Sequence, residues 1–193
     1  MTAYENAVIC CQSVSQLPFQ AAAIGQSFHV KIDEESAAFD FPEGKSFFRA
    51  YALPKSERDY VIAVYSYLDG VFSGSENDSH IFYPVLMFLD ENFKALRVIA
   101  SDLMRYRPPG WWNKPARLEG RLIIPSAVGV RYLVIYTTPQ LLGQRTTFSY
   151  GASTGSFISG NIAVPIREPA SARRYPHSPF GDLEVEFRPV GDD

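Results

Sequence analysis

The chain has 193 residues, enough for one sizeable core, and its 46% hydrophobic and 20% charged content lies outside the composition range of disordered chains. A formal charge of −3 and a pI near 5.6 offer no general attraction to phosphate backbones. No stripe of Lys or Arg is present to release counterions, so nucleic acid is not an expected partner. No stretch approaches the ~20 apolar residues of a membrane span, so none is expected. The N-terminus lacks the basic-then-apolar pattern of an export signal, which in a precursor would lie outside this sequence.

Aromatic residues make up 14% of the chain, and flat rigid rings pack well on a pleated surface, so strands are favoured. Cys10 and Cys11 are adjacent, with Cα atoms about 3.8 Å apart, closer than the usual disulfide span. A reduced pair is therefore the first reading and a vicinal disulfide the second. From residue 27, Phe28, Val30 and Ile32 alternate with His29, Lys31 and Asp33, the period of a half-buried strand. Phe39 and Phe41 lead into a Pro42-Glu43-Gly44 turn, and the aromatic runs 46–53 and 60–68 then predict a hairpin closed by residues 54–58. Residues 69–80 are polar and rich in Ser and Gly, as a surface loop is.

Residues 81–89 are the most apolar run, at a length that suits a strand buried on both faces. Asp90-Glu91-Asn92 turns the chain, 96–100 pairs back, 103–107 extends, and Pro108-Pro109-Gly110 reverses it. Strands are predicted over 117–125 and 131–138, separated by a turn at Gly129. A short helix follows over 139–143, with Thr138 as cap, Pro139 in the first position and Gly143 as stop. Residues 144–180 turn to Gly, Ser, Pro and Arg and read as an irregular connection or extended arm, with only 162–166 strand-like and Arg173-Arg174 in solvent. Residues 182–188 alternate strictly, placing Leu183, Val185 and Phe187 inward. The expected architecture is all-β: a jelly-roll-like antiparallel sandwich with one short helix and a long irregular C-terminal connection. It forms a single domain over 1–193, in which 1–16 is an N-terminal extension and 144–180 the arm or loop.

No catalytic motif stands out, and the chain reads as non-enzymatic. Gly151-Ala152-Ser153-Thr154-Gly155 matches a nucleophile elbow, but the Gly/Ser-rich sequence after it is a poor helix former, and His177 precedes Asp182, against the order of that fold. His29, His80 and His177 are single residues without ligand spacing, read as solvated loop or strand-face residues, and no metal or cofactor is expected. Asp33-Glu34-Glu35 and Asp90-Glu91-Asn92 lack the spacing and glycine of a calcium loop. The sharper feature is the Pro/Gly-rich segment around Tyr106, Trp111, Trp112 and Asn113, which holds both tryptophans. Such rings serve either as a platform for a sugar face, with the amide taking hydroxyls, or as a plug for the open end of a sandwich.

A set of residues carries a family resemblance: Phe82, Pro84, Leu89-Asp90, Arg97, Tyr106, Pro109, Arg117-Leu118-Glu119-Gly120, Gly129 and Tyr132-Leu133-Val134-Ile135-Tyr136-Thr137-Thr138. In this pattern the chain resembles the maltose operon periplasmic protein (MalM) family. The likeness extends more weakly over 17–68 and over 162–187, where Ile166, Pro169, Pro179, Gly181, Leu183 and Val185 take part. It implies a periplasmic protein associated with maltose and maltodextrin uptake, and it carries over no catalytic residue. Two expectations follow: a binding module that meets maltodextrin or another glycan through Tyr106, Trp111, Trp112 and Asn113, or an interaction module without a sugar ligand. The latter would dock on an envelope protein through a sheet edge or the 144–180 arm.

Overall fold

The computed structural model describes residues 2–69, 79–100, 103–108, 115–150, 153–159, 162–168 and 170–191. A short helix α1 (Thr2–Asn6) and a 3-10 turn (Val14–Gln16) precede the first strands, β1 (Phe19–Ala21), β2 (Ser27–Ile32), β3 (Ala38–Phe41), β4 (Gly44–Ala52) and β5 (Tyr60–Asp69). There follow β6 (His80–Phe82), β7 (Val85–Leu89), β8 (Ala95–Ile99), β9 (Arg105–Arg107), β10 (Arg117–Ile124) and β11 (Tyr132–Tyr136). Helix α2 (Pro139–Leu142) separates these from β12 (Arg145–Tyr150), β13 (Ser153–Ser159), β14 (Ile162–Glu168), β15 (Ser171–Ser178) and β16 (Gly181–Pro189).

One large sheet runs β1-β4-β11-β7-β8, with β3 also on β4. The other runs β12-β15-β6-β5-β10-β9, and β16 pairs with both β5 and β2. β13 and β14 form a separate antiparallel pair. The all-β reading holds, and the sheets face each other across a shared core. Leu86, Phe88, Leu133, Ile135, Phe47 and Tyr51 of the first sheet meet Ile62, Val64, Leu183, Val185 and Phe187 of the second. On the other face of the first sheet, Val85, Met87, Leu89, Val134 and Tyr136 are covered by Leu17, Phe39, Phe41 and Leu141. The apolar run 81–89 is not the single strand expected. It breaks at Tyr83-Pro84, where proline has no N–H for a ladder, so β6 joins the second sheet and β7 the first, with all five residues of β7 buried.

Several local readings hold in detail. The Thr138 hydroxyl accepts from the Leu141 backbone N–H at 3.3 Å, and Gly143 caps the helix end. Gly129 takes the left-handed conformation at φ 69°. Gly181 is constrained by space, since a Cβ there would meet the Phe82 Cβ at 2.5 Å where β16 passes β6.

Other expectations are corrected. β4 and β5 form no hairpin: β4 lies in one sheet and β5 in the other, so residues 53–59 arch between layers. Both runs are long and buried enough to be central strands, and a sandwich needs such strands in each layer. The arrangement is mixed rather than purely antiparallel, since β1 pairs with β4, and β15 with β6, in parallel. Residues 144–180 are not an irregular connection but hold β12, β13, β14 and β15. The alternation in β12 is carried by half-buried Thr146 and buried Phe148 between exposed Arg145, Thr147 and Ser149, a pattern that polar composition conceals. Arg173 and Arg174 accordingly lie exposed on a strand, not in a loop.

His177 is corrected with them, being a buried residue of β15. Its Nδ1–H donates to the Leu141 carbonyl at 2.7 Å, and its Nε2 faces the Thr146 hydroxyl at 2.8 Å, tying α2, β12 and β15 together. The ring stacks on Tyr83 at 4.7 Å. Burial holds its pKa below the ordinary 6.5, against the pull of the Leu141 carbonyl. The unfolded chain therefore takes up this proton first on acidification. The stability that neutral His177 contributes is present above its unfolded pKa and is lost as pH falls from there to the folded pKa. Unfolding free energies from urea titrations across that window are expected to drop for the natural protein, with a slope from this group of at most about 1.4 kcal/mol per pH unit. His177→Gln should flatten that step.

Candidate functional site

Of the four residues singled out in the sequence, Tyr106 lies on β9 opposite Leu118 of β10. It is half-buried, its ring stacked on Phe148 at 4.2 Å and 25°, and Phe148 in turn meets Tyr175 edge-on. Trp111, Trp112 and Asn113 lie outside the described residues. They belong to the connection between β9 and β10, and the flanking strands pair Arg107 with Arg117.

Beside that connection lies a polar surface that motif reading did not single out. Strand alternation sends the odd-numbered residues of β2, β5, β9 and β10 and the even-numbered residues of β16 to the outer face of their sheet. One cross-strand row is His29, Glu184, Tyr65, Glu119 and Arg105. The next row toward the connection includes Tyr67, Arg117 and Arg107. Tyr67 donates to Glu184 at 2.6 Å, Ser27 donates to the same carboxylate at 2.8 Å, and Tyr65 donates to Glu186 at 3.0 Å. Arg117 lies over the Tyr65 ring, 5.2 Å from its centroid.

The hydrogen bond from Tyr67 holds the Glu184 carboxyl below its ordinary range, helped by Ser27, His29 and Arg117 and opposed by burial. The Tyr67 hydroxyl is pushed up, first by burial and then by the carboxylate it serves. Glu119 is only 6% exposed and is met by Arg121 at 2.9 Å, Arg117 at 3.2 Å and Arg107 at 3.6 Å. One buried carboxylate thus gathers three guanidinium groups and fixes two of them in hydrogen-bonding geometry. The surface offers carboxylate acceptors and guanidinium donors at strand spacing, a composition suited to hydroxyl-rich ligands. Its signal in sequence is the alternating polar face of Tyr65/Tyr67, Arg117/Glu119/Arg121 and Glu184/Glu186, which becomes one surface only once β16 is placed on β5.

A second feature lies at the N-terminus. Cys10 and Cys11 are joined by a disulfide, which corrects the reading of a reduced pair. Chain neighbours lie 3.8 Å apart at Cα whether bonded or not, so spacing favoured the thiols without forbidding the bond. Together with Ile9, Gln12 and Gln16 they line a cleft of about 670 Å³. Another cleft of about 670 Å³ opens where Lys55, Glu57, Asp90, Glu91 and Arg131 surround Tyr60 and Ile124. Among the described residues, no group of three His, Cys, Asp or Glu could hold a metal ion, and no helix is long and apolar enough to cross a membrane. Ser153 opens β13, which continues as strand to Ser159, whereas a nucleophile elbow requires a helix there.

Compared with known proteins, residues 43–187 match the family model described as maltose operon periplasmic protein precursor (MalM). No curated protein and no solved structure matches the chain.

The Glu119 cluster makes a graded prediction. Glu119→Gln keeps the shape and removes the charge, and is expected to lower stability in urea denaturation by about 1–2 kcal/mol, the difference between charged and neutral hydrogen bonds. Arg107→Gln, at a 56% exposed side chain 3.6 Å from the carboxylate, should change stability by less than about 0.5 kcal/mol.

Proposed function

The chain belongs to the maltose operon periplasmic protein (MalM) family, and from that premise we propose that it is a non-enzymatic accessory protein of maltodextrin transport that binds glycan beside the β9–β10 connection. Membership makes it a periplasmic protein associated with the maltose operon. What supports a glycan ligand is the polar outer face described above. A sugar chain presents hydroxyls at every ring, and Glu184, Glu186, Arg117 and Arg121 offer charged acceptors and donors to meet them. In this reading Trp111 and Trp112 supply the stacking face that an oligosaccharide needs, and Asn113 takes hydroxyls beside them. Tyr106 acts from below, its ring on Phe148 bracing the strand that leads into the connection.

The experiment is a titration of maltotriose to maltoheptaose followed by intrinsic tryptophan fluorescence. The natural protein should give a saturable change, and Trp111→Ala should bind about tenfold more weakly. A flat response for both up to millimolar sugar would overturn the proposal.

A second reading, docking on an envelope protein with no sugar ligand, is favoured by β8. This edge strand pairs only with β7 among the described strands and leaves Leu96 42% and Val98 44% exposed. Co-purification from envelope extracts should then yield a partner that Val98→Lys loses. Identical partner lists would rule this edge out.

A further inference from the structure

The N-terminal cleft differs in lining from the charged cleft around Tyr60 and Ile124. Its five lining residues, Ile9, Cys10, Cys11, Gln12 and Gln16, include no charged group. Cys10 is exposed, and Cys11 is half-buried against the core. The segment is anchored from behind, since Ile9 bridges to Ala38 and the Cys10 N–H donates to the Ala38 carbonyl at 2.9 Å. The Gln12 N–H donates to the Gln16 Oε1 at 2.8 Å, which fixes that amide and leaves its NH₂ with two donors to offer. Cys11 Sγ lies 3.4 Å from the Gln16 carbonyl oxygen, a contact that closes the ring of residues 11–16, since an oxidised sulfur has no proton to give.

We propose that this cleft is a subsite for a hexose ring of a neutral glycan, with the Cys10–Cys11 disulfide as its apolar platform and the Gln12 and Gln16 amides as its hydroxyl partners. A disulfide is a polarizable surface without hydrogen-bond donors, suited to the C–H face of a pyranose. Primary amides both donate and accept, as the hydroxyls on the ring's rim demand. The absence of charge among the lining residues argues against phosphorylated, carboxylated or amino ligands, which would enter without a counter-ion. The cleft is open, with Ile9, Cys10, Gln12 and Gln16 exposed, so a ring lies on the disulfide rather than enclosed by it. The Gln16 amide is pre-positioned, so little side-chain freedom remains to be lost on binding.

The choice of a neutral glycan rests on the proposed function, but the place is separate from the β9–β10 connection, and the test keeps the two apart. Maltotriose is titrated into isotope-labelled protein, with the side-chain NH₂ signals of Gln12 and Gln16 and the backbone signals of residues 9–12 followed by NMR. Saturable shifts are expected there in both the natural protein and Trp111→Ala. Gln12→Ala/Gln16→Ala and, separately, Cys10→Ser/Cys11→Ser should each weaken the binding seen at this cleft by about tenfold. The glutamine variant serves if loss of the disulfide disturbs the anchoring to Ala38. Shifts confined to the β9–β10 region would overturn this subsite and leave the proposed function standing. No shift anywhere at saturating millimolar sugar would overturn both, and binding unchanged in the two double variants would overturn the subsite alone.

Discussion

Strand β5 is the constraint on which the rest of the structure depends. Along one edge it pairs with β10 through eight registered residue pairs, and along the other with β16 through seven, before β6 takes over at its end. Ile62, Val64 and Leu68 point into the core while Tyr65 and Tyr67 point outward, so one alternating segment fixes both the hydrophobic layer and the polar face. A slip of one residue in either pairing would turn Tyr65 and Tyr67 to the inner face and Ile62 and Val64 to the outer one. The orientation of Glu184, Glu186, Arg117 and Glu119 is thus set by the same register that packs Phe187 and Leu183.

That coupling explains how much could be read in advance. Where burial and period agree along a single segment, the residues announced their structure: β2 and β16 are strands with the faces their apolar residues require, and Thr138 caps a helix. The resemblance carried by residues 82–138 also held, being matched over 43–187. Pairing was not legible where it depends on distant partners. β4 and β5 look like hairpin arms because they are consecutive and alternating, yet two central strands serve the sandwich better in opposite layers. Residues 144–180 have a composition that loops share with edge strands, and the alternation of buried Tyr175 and His177 is too short to display the period against the polar residues before it.

The sites follow the same division. The loop with Trp111 and Trp112 stands out because rare large rings in a Pro/Gly-rich segment are visible without a fold. The outer face consists of ordinary strand residues from β2, β5, β9, β10 and β16, and it becomes a surface only through registers that bring Glu184 beside Tyr65 and Glu119 beside Arg105. The disulfide of neighbouring cysteines is a matter of local covalent chemistry, and sequence offers both oxidation states. The outer face and the N-terminal cleft differ in electrostatic character, since the first is built on the charged groups around Glu119 and Glu184 and the second is lined without charge.

The position of β16 bears on how such a chain reaches its compartment. One whole edge of β5 waits for residues 181–189, separated from it by more than half of the sequence. β6 likewise receives its parallel neighbour only from β15. The central layer cannot close until residues 181–189 are in place, because they form one whole edge of β5. Pairings at such separation make folding late and global. For a periplasmic protein, completion of this layer by residues 181–189 belongs to the same oxidising compartment that suits the Cys10–Cys11 disulfide.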